Sequence, residues 1–117
     1  MSRSILLQLT RDSIAEVLEA QRTIDKNELL TNYPLLNEPI ATEVNIYLDG
    51  ELRGSSKTDK ATESLLEDLI KNAKRCCFED QNFTPISTSE YLSCEIEVLL
   101  DTPDGVISEK DDPILEE

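Results

Sequence analysis

The sequence predicts one small α+β domain, and three observations carry that expectation. Residues 44–58 (VNIYLDGELRGSSKT) alternate apolar and polar and then reverse at Asp49-Gly50, the signature of a β-hairpin. Two longer stretches, 4–20 and 60–77, space their apolar residues by three and four, as amphipathic helices do. The chain has 117 residues, enough for one modest core that buries roughly two-thirds of the unfolded surface.

The first helix, over 4–20, carries Ile5, Leu6, Leu9, Ile14, Val17 and Leu18 on one stripe and Arg11, Asp12, Glu16 and Glu19 on the polar side. Residues 21–39 read as an irregular crossing with one helical turn. Asp25-Lys26-Asn27 interrupts it, Pro34 and Pro39 bar regular helix, and Leu29, Leu35 and Leu36 pin it to the core. In the hairpin, Val44, Ile46 and Leu48 share the buried face, and Leu52 is expected to return the chain to it. Asp49-Gly50 suits a type I′ turn, whose central residues both need positive φ.

The second helix, over 60–77, presents Leu65, Leu66, Leu69, Ile70 and Ala73, with Cys76 and Cys77 continuing the stripe and Thr58 or Asp59 as its cap. Residues 78–85 form a loop anchored by Phe78 and Phe83, and Ser87-Thr88-Ser89-Glu90 matches a capping box. Residues 93–100 form a second strand, with Cys94, Ile96, Val98 and Leu100 facing one way and Glu95 and Glu97 the other. Pro103, Asp104 and Gly105 make a turn, and 104–117 reads as an acidic, mobile tail outside a domain of residues 1–103.

Composition narrows the function classes. Hydrophobic residues make up 38% and Trp is absent, so the core must be aliphatic. Twenty-five acidic residues against 11 basic give a net charge of −14, which argues against nucleic acid or an anionic membrane as a direct partner. A solvated acidic surface is the plainer reading of that charge, and a basic protein partner the sharper one. Gln8, Arg11 and Asp12 break the apolar run near the N-terminus, which is unlike a signal peptide. With three cysteines, an odd number, the expectation is a cytoplasmic chain under reducing conditions.

Taken together, Gly50-Glu51-Leu52-Arg53-Gly54, Phe78-Glu79-Asp80 with Phe83 and Pro85, and Glu95-Ile96-Glu97-Val98 with Thr102-Pro103 resemble the AMMECR domain family, named after a human chromosomal-region protein linked to the AMME syndrome. The resemblance spans 5–103 and implies an antiparallel sheet flanked by helices. The family signature runs Leu-Arg-Gly-Cys-Ile-Gly, whereas Ser55, Ser56 and Lys57 stand at its last three positions. The family also continues well past residue 103 with another glycine-rich strand region, so this looks like a shortened, divergent member. Prokaryotic members are associated with Memo-like and radical-SAM proteins, which implies a multi-component modification system.

The chain has no histidine, which removes Ser-His-Asp and Cys-His chemistry and the commonest zinc ligand. Ser55 would need another base, with Lys57 the nearest candidate. Cys76-Cys77 lacks the C-x₂-C spacing of metal sites and reads as core packing, so neither a metal nor a cofactor is expected. Glu79 and Asp80 read as loop organisers that accept backbone N–H bonds, and Glu95 and Glu97 as a solvated strand face. Arg53 can fix a carboxylate or phosphate, or pair internally with Glu79 or Asp80.

The favoured function is a non-enzymatic interaction module presenting Leu52, Arg53, Gly54, Ser55, Ser56 and Lys57 to a protein partner, with no catalytic residue. The alternative is an enzyme or enzyme subunit acting on a small substrate through Ser55, Lys57 or a carboxylate near Arg53. Homo-oligomerisation through an open sheet edge is a third reading.

Overall fold

In the computed structural model, which describes residues 4–115, helix α1 (Ile5–Glu19) starts where the Ser4 hydroxyl accepts the Leu7 N–H and stops at Ala20, whose φ of 54° turns the chain left-handed. Helix α2 (Lys26–Asn32) is capped by Asp25, and a 3₁₀ turn (Pro34–Asn37) follows, so the expected crossing holds two short helical pieces where one was foreseen. Strands β1 (Ala41–Leu48) and β2 (Glu51–Lys57) form the hairpin, with Asp49 and Gly50 at φ 52° and 81° as a type I′ turn requires. Helix α3 (Leu65–Phe78) begins at Ser64, not at Thr58 or Asp59. Thr58 is already committed: its N–H donates to the Thr42 carbonyl and its hydroxyl to Asp68 Oδ1. Helix α4 (Thr88–Ser93) has the complete Ser87–Glu90 capping box, and β3 (Glu95–Thr102) follows.

The stretch expected to be a tail is corrected by β4 (Gly105–Asp111), which pairs antiparallel with β3 through the Pro103-Asp104 turn. Its acidic residues hid a strand with an anchor at its far end. Asp111 Oδ2 accepts a hydrogen bond from Arg11 Nε at 2.7 Å. Residues 116 and 117 of that expected tail lie outside the described residues.

The four strands form one antiparallel sheet in the order β2-β1-β3-β4. Helix α3 packs on β1 and β2, and α1 packs on α3 and against β3 and β4. Val44, Ile46, Ile96, Val98 and Leu100 from the sheet meet Leu65, Leu66, Leu69 and Ala73 of α3 and Leu6, Leu9 and Ile14 of α1 in one core, with Leu48 packed partly buried at its margin. Burying a Leu or Ile in such a core contributes about 1.5–3 kcal/mol each.

Four residues sit differently from the sequence expectation. Val17 is 44% exposed at the mouth of a cleft, and Leu35 is 54% exposed while its neighbour Leu36 is buried. Leu52 lies on the outer sheet face, because a two-residue turn pairs it with Tyr47 and not with an inward residue. Arg11, assigned to a polar face, is 2% exposed. Besides Asp111 it donates to the carbonyls of Tyr91, Cys94 and Asp112, so α1 is buried on two sides and ties the C-terminal strand to the body.

Candidate functional site

The Leu-Arg-Gly segment is shaped by a break in strand register. Tyr47 pairs with Leu52, yet Ile46 pairs with Gly54, leaving Arg53 as the extra residue of a β-bulge. Gly54 is thereby brought beneath α3, where a Cβ would stand 2.2 Å from the Cys76 carbonyl oxygen. Only glycine allows this approach of strand to helix.

The bulge directs Arg53 sideways toward the loop after α3. Its Nε and Nη2 donate to the two carboxylate oxygens of Glu90 at 2.8 and 3.1 Å, a two-pronged pair. Nη2 also reaches Thr84 Oγ1 and the Pro85 carbonyl, and the guanidinium lies 5.7 Å from the centre of the Phe83 ring. Nη1 is buried and finds no hydrogen-bond partner among the described residues. The sequence offered Glu79 or Asp80 as the internal partner, and the structure corrects this to Glu90. The hydrogen bond to Glu90 raises the Arg53 pKa, and the same bond, against an opposing burial effect, holds the Glu90 carboxyl below its ordinary value.

Asp80 closes the other side of this corner. Its Oδ2 accepts the Ser55 N–H at 3.0 Å and its Oδ1 the Asn82 N–H at 2.9 Å. Glu79 ends α3 through its backbone, donating its N–H to the Arg75 carbonyl, with its side chain exposed.

Beyond the bulge the strand alternates. Ser55 faces outward and its hydroxyl donates to Asn45 Oδ1 at 2.6 Å. Asn45 in turn donates to Glu43 and Glu97, and the Tyr47 hydroxyl donates to the same Glu97 oxygen. Burial, then the Glu97 hydrogen bond, raises the Tyr47 pKa. Ser56 faces inward and donates to Asn72 Oδ1 at 2.7 Å. Lys57 is exposed and lines a small cavity of about 200 Å³ with Glu43, Leu99, Asp101 and Val106. The six candidate residues are therefore dispersed: Leu52, Ser55 and Lys57 outward, Gly54 and Ser56 inward, and Arg53 sideways into a clamp.

Sequence reasoning missed two polar centres, Arg11 and a cluster under α3. In the latter, Asp68 Oδ2 accepts both the N–H and the hydroxyl of Thr42, and Asn72 Nδ2 donates to Thr42 and Thr58. The available signal was Asp68 and Asn72 at i, i+4 beside the apolar stripe of α3. The cluster is satisfied by partners inside the fold, which marks it as a joint between β1, β2 and α3.

All three thiols are buried. Cys76 and Cys77 approach within 3.6 Å, and that contact, together with burial, drives the Cys76 pKa up. Burial pushes Cys94 up to about 11. Among the described residues no three His, Cys, Asp or Glu side chains converge as metal ligands, and no helix is long and apolar enough to cross a membrane.

A larger cavity, about 990 Å³, lies elsewhere, between the end of α1, the start of α2 and α3, and is lined by Glu16, Arg22, Lys26 and Lys74 among others. Burial acts to raise the Glu16 pKa, but hydrogen bonds from Ile24 and Thr23 and the Lys74 ammonium outweigh it and lower the value. Neither cavity is lined by Arg53 or Ser55.

The comparison with curated proteins gives no match. Among solved structures, the uncharacterised protein PH0010 from Pyrococcus horikoshii is similar, at 26% identity and a TM-score of 0.74. The alignment covers 84% of this chain and 50% of that one, so this chain matches half of that protein's length. The AMMECR1 family model matches residues 7–112, nearly the whole chain and nearly every element described above. The chain belongs to the AMMECR1 family.

Proposed function

We propose that this protein is a non-catalytic binding module of the AMMECR1 family, and that it contacts a protein partner through the outer face of the β1–β2 hairpin. The observation that carries the reading is Leu52. It is 46% exposed on a sheet face opposite the one α3 covers, flanked by Tyr47 and Ser55, with Lys57 further along the same face. An exposed aliphatic beside an aromatic with a polar rim is the make-up of a small protein-binding patch. The family's association with Memo-like and radical-SAM proteins gives the class of partner to try first.

The alternative, an enzyme acting through Ser55, Lys57 or a carboxylate near Arg53, draws less support from the geometry. The Ser55 hydroxyl donates to an amide oxygen, which is no base, and Glu90 is committed to Arg53. An activated serine needs a proton acceptor at hydrogen-bond distance.

The test is affinity capture from the native source with the wild-type chain and a Leu52→Asp variant, alongside unfolding midpoints for both. The reading expects a partner lost by the variant at unchanged stability. Equal recovery of the partner by both chains refutes the hairpin surface. Turnover that disappears in Ser55→Ala would favour the enzyme.

A further inference from the structure

A four-stranded open sheet has two free edges, and here they differ in kind. The β2 edge is closed. Arg53 bulges out of the ladder, Asp80 takes the Ser55 N–H, and the Arg53–Glu90 pair holds the loop of residues 80–87 alongside. Bulges and covering loops are standard protections of an edge. The β4 edge has neither device: among the described residues no strand pairs with it except β3. Adjacent Val106 and Ile107, one on each face, are 66% and 53% exposed. Lys110 is the one cation on this strand, and it is drawn back over the sheet. Its Nζ lies 5.1 Å from the centre of the Tyr47 ring and 3.6 Å from Glu95 Oε2. Alternate N–H and C=O groups of such a strand point away from the sheet and can template another.

Charge selects the occupant. The chain carries −14, and Asp101, Asp104 and Asp112 are exposed on and beside the β3–β4 hairpin. A second copy carries the same net charge of −14 and is repelled by it, whereas a basic segment is attracted. We propose that β4 accepts an extended, basic segment of a partner protein by strand addition. The incoming segment places aliphatic side chains against Val106 and Ile107 and Lys or Arg side chains toward the surrounding carboxylates. The β4 edge and Leu52 stand on opposite edge strands, though the outer sheet face joins them: Lys57 lines one cavity with Val106, and Lys110 lies over the Tyr47 ring.

The probe is an acetylated, amidated peptide of alternating Lys and Val, added to the ¹⁵N-labelled full chain, with amide hydrogen exchange as the readout. The expected result is exchange slowed by about tenfold or more at outward-pointing amides within 105–110. Val106→Lys, at a largely exposed position, should abolish the slowing, and Leu52→Asp should leave it intact. Four outcomes overturn the proposal: no slowing on β4, equal slowing by a Glu-Val peptide, equal slowing by a Lys-Pro peptide that cannot add a strand, or slowing without peptide that grows with protein concentration. The last would give the edge to a second copy.

Discussion

Gly54→Ala is the sharpest probe of how this fold is assembled. The added Cβ would lie 2.2 Å from the Cys76 carbonyl oxygen and 3.1 Å from Ile46 Cγ1. The first neighbour is helix backbone and cannot rotate aside, so β2 and α3 must part by about an ångström to regain ordinary contact. That separation loosens the buried face of α3, where Leu69, Ala73, Cys76 and Cys77 are almost inaccessible. Overpacking costs about 1–3 kcal/mol where side chains can adjust, and with a fixed carbonyl the expectation is ~3 kcal/mol or more. Gly50→Ala is the matched control. It meets no atom within 4 Å but must hold φ near 81°, which costs alanine about 1 kcal/mol. Urea unfolding followed by circular dichroism gives both values. A Gly54→Ala loss no larger than that of Gly50→Ala would refute the claim that close helix approach fixes this glycine.

Arg53→Ala should destabilise by more than ~1 kcal/mol, since a half-buried carboxylate loses its cation and Phe83 its cover, and a loss within ~0.5 kcal/mol would return Arg53 to the surface. The Glu90 pKa is lowered in the fold chiefly by the Arg53 hydrogen bond, so its contribution is full above the unfolded value near 4.5 and fades as pH falls through the lower folded value. Stability measured across that acid range should fall less steeply in Arg53→Ala than in wild type. Deleting residues 108–117 removes half of β4 and the Arg11–Asp111 pair and should lower the melting temperature clearly, and an unchanged melt would mean that β4 contributes nothing to the fold. With Cys94 pushed up to about 11 and Cys76 also raised, a thiol reagent at pH 8 should label the native chain slowly and the urea-unfolded chain at once.

The sequence made legible those elements whose signal is local. Period-two alternation and Asp49-Gly50 give the hairpin, the helical stripes give α1 and α3, and Ser87 with Glu90 gives the cap of α4. What escaped depends on partners far along the chain. Residues 105–111 look like tail because nothing local marks what holds them: the β3 ladder, the Tyr47 ring beneath Lys110, and the Arg11 side chain, 100 residues away. Arg11 looks like a surface cation because nothing near it in sequence reveals the carbonyls of Tyr91, Cys94 and Asp112. Leu52 was misplaced for a different reason. Strand alternation was carried through the turn, although a two-residue turn pairs Leu52 with Tyr47 and the bulge then resets the parity at Gly54.

The same bulge bears on what the Leu-Arg-Gly segment does in this fold. In Leu-Arg-Gly, Gly54 admits α3, and Arg53 ties the strand to Glu90 and to the loop that Asp80 pins through the Ser55 N–H. Both roles are structural and need no substrate. Remove the thiol that the family signature carries next, and Ser55 is left donating to Asn45 in a network that runs along the outer sheet face to Glu97 and Tyr47. A hydroxyl so placed has an acceptor for its proton but no acceptor that is basic, so it gains no nucleophilicity from its surroundings. The register that brings Ser55 to the outer face also sets it between Leu52 and Lys57 along that face. Retaining Arg53 and Gly54 with a serine at position 55 therefore keeps the bulge, the Glu90 clamp and the close approach of α3, and leaves the Ser55 hydroxyl held by Asn45.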